Sequence, residues 1–171
     1  MNSKLTLLAI IEILSALSMG VAIMATTYLL LKYIGKKRYD INQNNQAFGI
    51  FMASILFSVG YLVSSVIHPL LSLFRILSTK DNSTVHLLFS FMSYGALYIF
   101  MAYIVALIVC WLGIVIYNYI TPIDEIQELK NNNIAVALVV GSIIITLSLM
   151  THDGVELLIE SFIPYPEMYP K

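Results

Sequence analysis

Glu12 is the one acidic residue set well inside a long apolar run, and its spacing decides where its carboxyl points. It falls three residues after Ala9 and four before Ala16, so on a helix it shares the face of those small residues and turns away from lipid. A carboxyl held there can bind a proton or a cation during transport, and 86 positions later the corresponding residue is Tyr98. The plainer reading is that Glu12, two turns into its helix, reaches interfacial water or a hydroxyl.

The remaining polar groups suggest structure before chemistry. Asn44, Asn45, Asn132 and Asn133 stand where apolar runs begin, and asparagine caps helix N-termini by accepting a hydrogen bond from an unpaired amide. Asn45 and Asn133 are therefore expected caps, with binding of an anion or lipid headgroup at these helix ends as the alternative. Lys36, Lys37 and Arg38 form one charged turn and Asp124, Glu125 and Glu128 another of opposite sign. If the two turns lie side by side they can pair, but exposed pairs contribute only roughly 0–1 kcal/mol, so a solvated face or partner docking is the better use. His68, His86 and His152 fall near the outer ends of apolar runs without the HExxH pattern, and no metal site or cofactor is expected. Cys110, the single cysteine, is read as a packing residue. No G-x-S-x-G, Walker motif or intramembrane acid pair is present, so no catalytic set is visible and an enzyme is not expected.

The elements that must position these residues are membrane helices. Of 171 residues, 59% are hydrophobic and 11% charged, against about 45–50% and about 25% in ordinary soluble domains. Four stretches, 13–31, 41–74, 82–123 and 131–152, contain no Asp, Glu, Lys or Arg. Each is long enough for the roughly 20 residues that cross a hydrocarbon core. The first is read as an uncleaved helix because it continues past signal-peptide length without a small-x-small site. The net charge of −1 argues against nucleic-acid binding. Helices are expected over 5–33, 46–67, 94–120 and 133–151, broken at Gly35–Asp40 and at Thr121–Glu125 and joined in the middle by 69–93.

The chain also repeats itself. Asn45-Gln46-Ala47-Phe48-Gly49-Ile50-Phe51-Met52-Ala53-Ser54-Ile55 returns 88 positions later as Asn133-Ile134-Ala135-Val136-Ala137-Leu138-Val139-Val140-Gly141-Ser142-Ile143. In the preceding helices, Ala9, Ala16 and Gly20 align with Gly95, Ala102 and Ala106. Gly49, Ala53 and Gly60 likewise align with Ala137, Gly141 and Ser148. Steps of four and seven put such residues on one face, and small faces permit the close backbone approach that joins helices in lipid. The expected fold is thus all-α integral membrane: four transmembrane helices as two parallel-repeat helical hairpins, 1–77 and 78–171. The pieces at 68–75 and 155–162 are expected at the membrane interface, as is the proline-rich tail.

The turn Thr121-Pro122-Ile123-Asp124, followed by Asn133-Ile134-Ala135-Val136-Ala137 and Gly141, resembles the signature of the YjfL-like family of bacterial inner-membrane proteins. That resemblance implies two copies of a two-helix unit and no established activity. The second repeat carries it; in the first, Lys36-Lys37-Arg38 replaces the Thr-Pro-x-Asp turn. The leading expectation is a non-enzymatic, homo-oligomeric inner-membrane component that works in the bilayer through assembly or a cytoplasmic or membrane protein partner. The alternative is a proton or cation conduit using Glu12, and an intramembrane enzyme stands third.

The short connections hold Lys32, Lys36, Lys37, Arg38 and Lys130, which favours both connections in the cytoplasm and both termini outside. A cysteine at position 37, in a Cys110→Ala background, is expected to react with impermeant maleimide only from the cytoplasmic side. Labelling only from outside would reverse the topology.

Overall fold

A computed structural model describes the backbone of residues 3–41, 44–80, 84–121 and 124–163, and side chains for 17–37, 39–41, 44–77, 89–121 and 124–163. Among the described residues there are no strands. The helices are α1 (Ser3–Tyr39), α2 (Gln46–Ser64), α3 (Ile67–Lys80), α4 (Thr84–Ile120), α5 (Glu125–Lys130) and α6 (Ile134–Glu160). Four helical stretches, Leu17–Lys37, Gln46–Leu77, Phe89–Ile120 and Ile134–Glu160, are long and apolar enough to cross a membrane. The chain therefore has the make-up of a multi-pass membrane protein.

The helices run further than the sequence suggests. Gly35-Lys36-Lys37-Arg38 stays helical, because a glycine weakens a helix by only about 1 kcal/mol and the hydrogen-bond ladder continues past it. The reversal comes instead at Asp40, at φ 51°, a left-handed conformation that Asp and Asn adopt more readily than most residues. The 69–93 connection is itself largely helical, supplied by α3 and the first turns of α4. At the other end α6 does not stop at 151. It continues to Glu160, and Val155 and Ile159 turn inward, so the expected interfacial piece is the last part of a packed helix. The matching piece after α2 is a separate helix, since Pro69 has no N–H for the ladder; Ser65 and Val66 instead close tight turns onto Leu62 and Val63. Leu73 of α3 is fully buried, Leu70 reaches Gly95, and Phe74 meets Phe91 edge-on at 5.5 Å.

At the centre α2 and α6 lie side by side, pointing the same way, and α4 packs against both. The buried face of α2 is Ala47, Phe51, Ser54, Ile55, Ser58, Val59 and Leu62, that of α6 is Ala137, Val140, Gly141, Ile144 and Ser148, and α4 contributes Tyr98, Ala102, Ala106 and Cys110. Two crossings depend on missing side chains. A Cβ at Gly141 would overlap the Ser54 hydroxyl, and one at Gly113 would stand 3.3 Å from the Ile144 Cα. The helix α1 packs on α2 along a narrow strip, with Phe48 seated against Gly35.

The small residues of the repeat do not all serve as contacts. A Cβ at Gly49 would meet open space and Ala53 is exposed, because the approach to Gly141 is made one residue on, by Ser54, about 100° around the helix. Gly141→Val is expected to destabilise the fold by about 1–3 kcal/mol through overpacking. In SDS-titrated unfolding, Gly49→Ala should leave stability unchanged or raise it by up to about 1 kcal/mol.

Candidate functional site

Two polar centres stand at opposite ends of the α2–α6 pair, separated along α6 by the run from Asn133 to His152, about 28 Å of helix. The first gathers the asparagines. Asn45 Oδ1 accepts from Phe48 N at 2.8 Å and caps α2, while its Nδ2 donates to the Leu129 and Lys130 carbonyls at 2.6 and 3.2 Å. Asn132 takes a left-handed conformation at φ 61°. Asn132 N donates to Leu129 O and Asn133 N to Glu128 O, closing the end of α5 in a Schellman arrangement. The Asn132 side chain accepts from Ala47 N at 2.9 Å. Asn133 caps α6 through Val136 N at 3.3 Å and donates to Glu128 Oε2 at 2.7 Å. Each asparagine cap thus serves its own helix, and three further bonds stitch the start of α2 to the α5–α6 turn.

The same centre consumes the acidic group that the sequence assigns to docking. Asp124 caps α5 through Ile126 N and Gln127 N. Glu125 is 3% exposed and accepts from Asn118 Nδ2 at 2.8 Å, so it is not on a solvated face. Lys37 donates to Tyr33 on its own helix at 2.8 Å, and Lys36 is exposed. Among the described residues no ion pair joins Lys36 or Lys37 to Asp124, Glu125 or Glu128; one oxygen of each carboxylate accepts from a backbone or asparagine amide. The side chain of Arg38 lies outside the described residues.

Of the candidate intramembrane pair, Glu12 is carried on α1 but its side chain lies outside the described residues, as do those of Ala9 and Ala16. Tyr98 is 1% exposed and its hydroxyl donates to Phe162 O at 3.1 Å, fastening α4 to the end of α6. Gly20 and Gly60 line an open cleft of about 80 Å³ between α1 and α2, with Met24 Sδ at 3.4 Å from a Cβ placed at Gly60. Ala102, Ala106, Ala137 and Ser148 are fully buried, and Gly95 is buried under Leu70. The Ser58 hydroxyl is buried and, among the described residues, has no hydrogen-bond partner.

The second centre lies where α2 gives way to α3 and α6 nears its end. His68 Nδ1 is 3.1 Å from Glu156 Oε1, and His152 Nδ1 is 3.1 Å from Asp153 Oδ1. The Tyr61 ring lies over His152 with centroids 4.4 Å apart. Ligand-capable atoms of His152, Asp153 and Glu156 all lie within 4.8 Å of one another. His68 and His152, expected as interfacial polar residues, each meet a carboxylate, while the side chain of His86 lies outside the described residues. The signals were His152 and Glu156 four residues apart on one helix, and the 88-residue separation of His68 and Glu156, equal to the offset of the Asn45 and Asn133 copies.

Residues 91–162 match the model of a family described as a domain of unknown function, DUF350. The match takes in most of α4 and all of α5 and α6. It includes the Thr121–Asp124 turn and the Asn133 cap. No curated protein and no solved structure matches the chain.

The asparagine centre gives a graded test. Asn45→Ala removes a cap and two donated bonds and is expected to lower stability by about 2 kcal/mol. Asn45→Ser, which keeps only the cap, should recover about half of that loss in the same SDS-titrated unfolding.

Proposed function

We propose that the chain is a non-enzymatic inner-membrane component that works by assembling, with copies of itself or with a partner protein, inside the bilayer. On this reading its hairpins, 1–77 and 78–171, are parallel repeats, and the YjfL-like resemblance extends through the DUF350 match. The reading is supported chiefly by the way α1 is held. From Leu17 to Lys37 only Thr27 and Gly35 are buried, while Leu17, Val21, Leu29 and Tyr33 are exposed. Helices in lipid associate through van der Waals contact and interhelical hydrogen bonds, and the described face of α1 from Leu17 to Lys37 is mostly uncovered. Thr27 of α1 donates to the Tyr103 hydroxyl of α4 at 3.2 Å. A neighbouring helix from a second chain would supply the contact that α2 does not. The exposed Lys36 end of α1 leaves a basic surface for a cytoplasmic partner.

The second reading, a proton or cation conduit, is favoured by the cleft between α1 and α2. Its lining residues Met19 and Gly20 lie two turns beyond Glu12 on the same helix.

Native mass spectrometry of the protein released from nanodiscs is expected to show a defined homo-oligomer or a stoichiometric complex with one other protein. A monomer throughout would overturn assembly. Proton or cation flux in liposomes that disappears in Glu12→Gln would favour the conduit instead.

A further inference from the structure

We propose that His152, Asp153 and Glu156 of α6, closed by His68 of α3, form a binding site for a divalent transition metal of the zinc class. The chemistry of the donors sets the class. Two imidazoles with two carboxylates make a mixed nitrogen and oxygen set, which suits zinc, cobalt or nickel; magnesium and calcium take oxygen ligands.

The placement of the donors fits. The three α6 groups lie within 4.8 Å of one another. Around a tetrahedral ion with bonds of roughly 2.0–2.2 Å, ligand atoms stand about 3.3–3.6 Å apart, so these three must contract by about 1 Å, and His68, which meets them through Glu156, must swing further. The side chains are free to do so at the rim: Asp153 is 97% exposed and His68 76%. Towards the bundle, His152 and Glu156 are 18% and 25% exposed, and the Tyr61 ring holds the His152 imidazole from one side. A site with two anchored and two adaptable donors is thus assembled from α6 and the helix that packs beside it.

The hydrogen bonds already present point the same way. Each histidine is held by a carboxylate through Nδ1, at 3.1 Å in both cases. Nitrogen and oxygen donors thus already meet in pairs, and a cation entering between them would compete with protons for the same atoms. Because His68 and Glu156 come from α3 and α6, the ion would bridge the two helices where their side chains already meet. The bound metal would hold α3 against the bundle. With the orientation expected from the lysine and arginine distribution, the ion would enter from outside the cytoplasm.

The test uses the full chain, purified without a histidine tag and reconstituted in nanodiscs, titrated calorimetrically with Zn²⁺ and spectroscopically with Co²⁺. One ion per chain is expected, with Co²⁺ giving the intense visible bands of a four-coordinate site and Mg²⁺ and Ca²⁺ failing to compete. His152→Ala should weaken Zn²⁺ binding by at least about tenfold. Glu156→Gln, which keeps side-chain size and an acceptor for His68, should weaken it comparably while leaving helicity unchanged. His86→Ala should bind as the parent does. Absence of Zn²⁺ binding, equal binding of Mg²⁺, or Zn²⁺ binding that survives both His152→Ala and Glu156→Gln would overturn the proposal.

Discussion

The distance between α2 and α6 is set where Gly141 faces Ser54, and the remaining helices are arranged around the pair that this approach creates. In an apolar medium no water-driven force pulls helices together, so attraction must come from many atom pairs at van der Waals separation. Glycine and serine allow that separation without a bulky side chain between the backbones. Once α2 and α6 are close, the Ile144 backbone is presented to Gly113 and α4 can settle against α6 with Ala102 and Ala106 buried. A larger residue at the first crossing would displace the surface on which the second is made.

A close parallel pair brings helix starts together, and with them unpaired amides that lipid cannot satisfy. The asparagines answer this locally. Asn45 and Asn133 each cap their own helix, and Asn132 spans to Ala47 of the neighbour. This explains why the polar turn folds inward on itself: Glu125 and Glu128 serve Asn118 and Asn133, and are drawn away from the basic end of α1. The electrostatics of this end are therefore built from charge-to-amide hydrogen bonds more than from charge pairs.

Much of this is legible in the sequence. The four charge-free runs gave four membrane-length helices, and the asparagines stood at the starts of two of them because capping is chemistry of near neighbours. What was not legible depended on groups distant in sequence. Gly35 reads as a breaker until Phe48 is seen to pack against it, and Glu125 reads as exposed until Asn118 is seen across the turn. Gly49 and Ala53 repeat the pattern of Ala137 and Gly141 yet do not share their role, since a rotation of one residue hands the contact to Ser54. Periodicity fixes which residues share a face, but the neighbour decides which face is used. The His152 to Glu156 spacing is present in the sequence, but without an HExxH motif it is one polar pair on a helix until His68 and Asp153 are seen beside it.

The two longest apolar spans differ in how they can meet a bilayer. Phe89–Ile120 is unbroken and, at about 48 Å, well exceeds a hydrocarbon layer of roughly 30 Å. Gln46–Leu77 has the same number of residues but is interrupted at Ser65 and Val66. A rigid rod adapts to a thinner layer by tilting, whereas a jointed one can bend. Because α3 packs on α4, leaning of the rod and flexing of the joint must be accommodated together.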